Sequence, residues 1–214
     1  MKKQETSIYN EFCGNIKDRL FDENEMYDYI ESYAKTKNMH QTLKALPFAR
    51  AMHEGQFRKG KEKIPYIYHP LLVACHALAL GIDDDHIVSA ALLHDVCEDC
   101  GIKAEELPVG KEAKEAVALL TKDKGDSFDE KRYYQRISEN PIALMVKLLD
   151  RCNNVSGMAA GFTKEKLIQY IRETEKFFYP MMEKAKRKYP RYSNQLFLIQ
   201  YHMKSVIQTI RHLG

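Results

Sequence analysis

The sequence predicts an all-α fold, a single compact helical domain. Three observations carry that expectation. Long stretches are built from Lys, Glu, Leu, Ala and Ile, which favour helix over strand, with only 10 Gly and no Trp. Apolar residues recur at helical spacing in successive segments. Those segments start and stop at Asp, Asn, Gly and Pro in positions suited to caps, with no internal repeat and no low-complexity linker between them.

Taken in order, residues 1–40 are charged and aromatic and read as an N-terminal helical extension packed on the main body, with helices over 15–21 and 23–35. Residues 41–214 read as the main domain. Its first helix covers 41–56, where Leu43, Leu46, Ala49 and Met52 fall near helical spacing. A basic loop, Phe57-Arg-Lys-Gly-Lys-Glu-Lys-Ile-Pro65, follows; residues 66–69 read as extended, and Pro70 suits the first turn of a helix. Gly81 is the expected C-cap of that helix. Asp83, Asp84 and Asp85 supply N-cap candidates for the helix that carries His94 and Asp95. Further helices are expected over 111–121, 129–138, 141–153, 163–188 and 193–212, with Asn140-Pro141 and Pro190 as the breaks.

Bulk properties exclude several function classes. The chain has 214 residues, 44% hydrophobic and 29% charged, with a net charge of +3. That balance is ordinary for a globular protein and too weakly basic to point to a nucleic-acid partner. Met1-Lys-Lys-Gln-Glu leads into no apolar signal segment, and the longest apolar run, residues 70–82, is interrupted by His76 and too short to span a bilayer. No membrane partner is expected. Five cysteines without a framework spacing fit free thiols in a reducing cytoplasm. Cys97 and Cys100 form a C-x-x-C pair, but a structural zinc site would need a second pair, which the chain lacks.

The run Ala90-Ala-Leu-Leu-His-Asp-Val-Cys-Glu-Asp99 carries the chemistry. At roughly 100° per residue, His94, Asp95, Glu98 and Asp99 share one side of a helix whose preceding residues read as buried. Burying that much charge without a partner would cost several kcal/mol per group, and the usual partner of adjacent His and Asp in such a place is a metal ion. The Pro141 helix repeats the anomaly. Apolar residues from Ile142 to Leu149 cover most of its circumference, and Lys147, Asp150, Arg151 and Asn154 share the remaining wedge. Two readings stand for Asp150: a metal ligand, or a buried salt bridge with Lys147 or Arg151. His69 lies at a loop-to-helix junction, where a lone histidine is more often a cap or a core hydrogen bonder. Together, two imidazoles and two carboxylates from three elements suit an octahedral first-row ion such as Mn²⁺ or Fe²⁺ with open positions.

These residues reproduce an H…HD…D pattern, and the words around them are narrower. They are Ala51-Met-His-Glu-Gly-Gln-Phe-Arg-Lys59, Ile64-Pro-Tyr-Ile-Tyr-His-Pro-Leu-Leu-Val-Ala74, the run Ala90 to Asp99, and Val146-Lys-Leu-Leu-Asp-Arg-Cys-Asn-Asn154. In this order they resemble the HD phosphohydrolase superfamily, and within it the hydrolase domain of RelA/SpoT-type alarmone enzymes and their small stand-alone relatives. The resemblance covers residues 43–154 well and the last sixty or so loosely.

The resemblance implies a compact HD domain in which His69, His94, Asp95 and Asp150 hold Mn²⁺, or another divalent first-row ion. Glu98 and Asp99 match the family's acidic pair that positions or deprotonates the attacking water. Arg58 and Lys59 match a basic pair that contacts the nucleotide, Asn154 a residue that contacts its sugar, and Tyr170 a substrate-facing tyrosine. His53 matches a non-ligand position. The substrate implied is a small nucleotide: the 3′-diphosphate of guanosine tetra- or pentaphosphate would leave as pyrophosphate. Glu98 follows His94 by one turn, which lets it reach an attacking water without being a ligand, and a base so placed contributes about 10²–10⁴-fold. Lys61 and Lys63 read as solvated charges.

Three departures bear on substrate identity. Cys152-Asn153-Asn154 stands where the family reads Leu-His-Asn, Cys100 where it has Thr, and the Arg58 to Pro65 loop carries extra lysines. The same fold acting on another nucleotide (the 2′-phosphate of NADPH, or a deoxynucleotide) is the rival reading, and a non-catalytic alarmone sensor is a third. The chain ends at Gly214 with no synthetase or regulatory domain behind it, so a hydrolase acting alone is the expectation.

Overall fold

The computed structural model describes residues 21–58, 63–122 and 128–213, with Ala160 and Leu213 described as backbone alone. Lys59, Lys61, Cys13 and all but the last residue of the helix expected over 15–21 lie outside the described residues.

The described residues form helices α1 (Glu23–Thr36), α2 (His40–Met52), α3 (Tyr68–Ala79), α4 (Asp85–Leu93), α5 (Val96–Cys100), α6 (Lys111–Leu120), α7 (Glu130–Glu139), α8 (Pro141–Gly161), α9 (Lys164–Glu173), α10 (Tyr179–Lys188) and α11 (Ser193–Leu213). Among them the sole extended pairing is an isolated bridge between Phe57 and Pro65, which closes the basic loop at its base. The all-α expectation is met.

The architecture is organised around α4. Every residue from Ile87 to Leu93 is buried, and α2, α3, α6 and α8 pack around it. A helix apolar on all sides has no solvent face to choose, so its neighbours enclose it. α1 lays Met26, Ile30 and Ala34 against α2 and α3, and α11 packs along α8.

Side chains cap most of these helices as their residue types dictate. Asp22, Asp84, Asp129, Asn140 and Thr163 each accept a backbone N–H at the first turn of α1, α4, α7, α8 and α9. Gly81 adopts φ 72°, and Ile82 N–H reaches the Ala77 carbonyl at 2.9 Å, the double turn that glycine permits after a helix end. Asp85 is the informative exception. It starts α4, yet its carboxylate accepts from the N–H of Gln41 (2.9 Å), the N–H of Thr42 (2.8 Å) and the Thr42 hydroxyl (2.8 Å), so it caps α2 from across the core. Asp85→Ala is expected to lower stability by about 2 kcal/mol, the upper end of a lost cap, read as a fall in the urea midpoint with unchanged slope.

Five features differ from the sequence expectation. α2 stops at Met52 rather than residue 56. Residues 66–69 are not extended: Tyr66 and Ile67 turn and α3 begins at Tyr68. The helix carrying His94 breaks there, because the His94 ring binds the Ala91 carbonyl three residues back (2.7 Å) and Asp95 sits at φ −101°, ψ −9° before α5 starts. α8 runs on to Gly161, well past residue 153. The expected helix over 163–188 widens into a π turn at Thr174–Phe178; Pro180, whose ring would collide with the carbonyl four residues back in a regular helix, falls in the first turn after it.

Candidate active site

Three segments deliver the site: the start of α3, the turn between α4 and α5, and the middle of α8. His69 and His94 are 2% and 3% exposed. Their Nε2 atoms face each other at 3.2 Å. Asp95 Oδ2 lies 3.2 Å from His94 Nε2 and 3.6 Å from His69 Nε2. Asp150 Oδ1 lies 3.2 Å from His69 Nε2 and 3.9 Å from His94 Nε2. Donor atoms of His69, His94 and Asp95 all fall within 4.8 Å of one another, and Asp150 closes the group from α8.

The donors fit a divalent ion. The Ala91 carbonyl can only accept, so His94 carries its proton on Nδ1 and turns a lone pair toward the centre. His69 Nδ1 donates to Asn153 Oδ1 at 2.8 Å, with the same consequence for its Nε2. Two imidazole nitrogens and an Asp95 oxygen therefore gather in one group, with an Asp150 oxygen 3.2 Å from His69, an arrangement that a positive charge satisfies. A first-row ion with ligands at about 2.1 Å sets neighbouring donors about 3 Å apart, close to the 3.2 Å separations here.

The electrostatics show the same demand for positive charge, met at His94 by a proton that an ion would displace. Burial, the strongest influence on His94, lowers its pKa, but the carboxylates of Asp95 and Asp150 overcome it and push the group up to about 9. Burial prevails at His69, which is lowered, with Arg58 and His94 adding to the effect. Asp95 and Asp150 would be raised by burial; the imidazoles hold Asp95 below the ordinary carboxylate range, and Lys147 with the imidazoles does the same for Asp150.

Both readings of Asp150 are present at once, one on each oxygen. Oδ2 accepts from Lys147 Nζ at 2.9 Å while Oδ1 faces the imidazoles. Arg151 turns away, to Glu173 at 2.9 Å, between the rings of Tyr170 (3.8 Å) and Phe178 (4.1 Å).

The other sequence candidates fall around this centre. Asn154, one turn after Asp150, donates from Nδ2 to Asp150 Oδ1 and accepts Arg58 Nη2 at 2.8 Å. Arg58 and Asn154, 96 residues apart in the chain, are thus joined at the mouth of the site. Glu98 on α5 accepts the Lys122 N–H at 3.4 Å, and Asp99 is exposed beside it. Tyr170 packs its ring against the Arg151 guanidinium at 3.8 Å, and burial pushes its hydroxyl up to about 12. Lys59 lies outside the described residues. His53 is buried and bonded to Gln56 at 2.8 Å, away from the donor group. Cys97 and Cys100 are free thiols.

Sequence reasoning gave no role to two residues that the structure brings into contact with donors. Tyr66 donates its hydroxyl to Asp95 Oδ2 at 2.7 Å with the Asp99 carboxylate acting on it as well, while its ring lies 4.8 Å from that of His53, tilted by 30°. Asn153 receives His69. Its position three residues after Asp150 on one helix face is a signal that could have singled it out.

No family model matches the chain. A guanosine-3′,5′-bis(diphosphate) 3′-pyrophosphohydrolase from Aquifex aeolicus is 36% identical over 153 residues, 68% of this chain and 21% of that protein, so the chain spans about a fifth of that relative. The enzymes of the same name designated MESH1 are shorter. The one from Xenopus tropicalis is 33% identical over 140 residues, 61% of this chain and 78% of that protein; the one from Homo sapiens is 33% identical over 141 residues, 61% and 79%. A solved structure described as "A metazoan ortholog of SpoT hydrolyzes ppGpp and plays a role in starvation responses" superposes with a TM-score of 0.61 at 23% identity, covering 81% of this chain and 97% of that one, which establishes the shared fold. With an HD-type donor group on that fold and relatives of this extent, the chain belongs to the family of guanosine-3′,5′-bis(diphosphate) 3′-pyrophosphohydrolases.

Proposed function

We propose that this protein hydrolyses the 3′-diphosphate of guanosine tetra- or pentaphosphate, giving GDP or GTP and pyrophosphate, with Mn²⁺ as its ion and the reducing cytoplasm as its place of work. The gathering of His69, His94 and Asp95, with Asp150 Oδ1 3.2 Å from His69 Nε2, carries this reading. Those four residues hold the ion, which supplies positive charge where phosphoryl oxygens become more negative during attack.

The remaining roles belong to the chain's own side chains. Water adds to the phosphorus bonded to the ribose 3′ oxygen; that P–O bond breaks, and the oxygen takes up a proton. Glu98 accepts the proton of the attacking water. Asp99, whose charge acts on the Tyr66 hydroxyl that binds Asp95, orients that water. Arg58 and Lys59 grip the nucleotide, Asn154 contacts its sugar, and Tyr170 flanks it from α9. In this structure the Arg58 guanidinium rests on Asn154, so substrate exchanges a neutral amide for a phosphate, the stronger partner of the two.

A nucleotide panel with Mn²⁺, scoring phosphate and pyrophosphate separately, tests the reading. Pyrophosphate from guanosine tetraphosphate supports it. Phosphate from NADPH with no pyrophosphate from the alarmone would transfer the activity to the rival substrate. Arg58→Ala is expected to raise KM about 10–100-fold, the worth of one charge-assisted hydrogen bond, with kcat little changed; an unaltered KM would remove Arg58 from the substrate grip.

A further inference from the structure

The metal donors each have a second partner, and the partner of His69 has no role so far. His94 leans on a main-chain carbonyl, Ala91, which a side-chain substitution cannot remove. His69 instead depends on one side chain. Its Nδ1 donates to Asn153 Oδ1 at 2.8 Å, across 84 residues of sequence, from the first turn of α3 to the middle of α8. His69 stands at the second position of its helix, with Ile67 as an N-cap that offers no side-chain cap bond. Its ring is therefore held by Asn153 on one edge and by the donor group on the other.

Which nitrogen carries the proton matters here. A neutral imidazole that loses its acceptor at Nδ1 can move the proton to Nε2, where two carboxylate oxygens at 3.2 and 3.6 Å would welcome it. In that tautomer the lone pair points away from the centre and the ring is no ligand. An acceptor at Nδ1 blocks the exchange and also strengthens Nε2 as a donor.

The same helix face gathers these tasks. Asp150 supplies a donor oxygen, Asn153 sets the tautomer of the donor opposite, and Asn154 binds Asp150 and Arg58, all within roughly one helical turn. Asn153 is half-buried, and its outer side lines an apolar cavity of about 450 Å³ between α1, α3 and α8, with Leu72, Cys75 and Ser156 among its walls. That opening leaves room for the second oxygen of an aspartate at position 153.

We propose that Asn153 is a positioning residue for the metal centre: its side-chain oxygen holds His69 in the tautomer that presents Nε2 to the ion. The inference rests on the metal reading given above and adds a residue to it. It is tested by titrating metal-free protein with Mn²⁺ in a calorimeter, with circular dichroism and the Tm of the metal-free form recorded for each variant. Asn153→Leu keeps the size and removes the acceptor; its Kd for Mn²⁺ is expected to rise about 10–100-fold, the usual effect of losing such a partner. Asn153→Asp restores an acceptor, and its Kd is expected to return to the wild-type value or below. A Kd for Asn153→Leu equal to wild type would overturn the inference. So would weakened binding in both variants alike, since that identifies packing rather than proton placement as the function of the amide. Absence of Mn²⁺ binding by the wild-type protein would sink the metal reading itself, and this inference with it, which is a result distinguishable from either of the others.

Discussion

Asp150→Ala is expected to abolish turnover and to weaken the fold in the same step, for two separable reasons. The substitution removes Oδ1 from the donor group and Oδ2 from Lys147. The Lys147 side chain is largely enclosed, 13% exposed, and Asp150 holds its ammonium charged, well above the ordinary lysine range, against the opposing effect of burial. Left without its carboxylate, such a group costs about 3–5 kcal/mol, a fall in Tm on the order of 10 °C for a chain of this size. Turnover should drop by about 10³-fold or more, because several kcal/mol of charge stabilisation convert at tenfold per ~1.4 kcal/mol.

A second variant separates the two losses. In Lys147→Met/Asp150→Leu both charges leave together, and apolar replacement of a buried pair is often neutral or stabilising. Its Tm should return toward wild type while Mn²⁺ binding and turnover stay lost. If the double variant regained activity with its stability, Asp150 would be a structural ion pair and nothing more.

Glu98→Gln is expected to lower kcat by about 10²–10⁴-fold, the contribution of a positioned general base, with Mn²⁺ affinity unchanged. The amide can still accept the Lys122 N–H, so α5 and the start of the following loop keep their anchor. The informative measurement is the pair of values together: kcat at saturating metal, and Kd for Mn²⁺ on the same preparation. Loss of both would make Glu98 a ligand. Full retention of kcat would move the proton acceptor to Asp99, the next residue of α5.

Much of this was legible in the residues. The apolar circumference of the Pro141 helix with its single polar wedge announced a helix facing a site, and Asp150 and Arg151 are indeed buried charges. The C-terminal limit of that helix was not legible. Ser156, Gly157 and Gly161 speak against helix on propensity, yet Val155 and Met158 are buried where α11 packs along α8, and tertiary contact overrides the local preference. The break at His94 escaped notice for a related reason. Periodicity treats residues 85–99 as one helix, whereas a ring bonded to the Ala91 carbonyl competes with the backbone for that acceptor.

The order of the four words, the residue types and their positions along each helix are properties of the chain alone, and they supplied the candidate donors and the family resemblance. What the tertiary structure decided is which atoms meet: that Asp150 divides its oxygens between Lys147 and the imidazoles, that Arg58 finds Asn154, and that Asn153 and Ala91 bond the Nδ1 atoms of the two histidines. The physical reason is one of range. Helical periodicity relates residues three or four apart, but the distance between α3, the α4–α5 turn and α8 depends on how their side chains close around α4, and no local pattern encodes that separation.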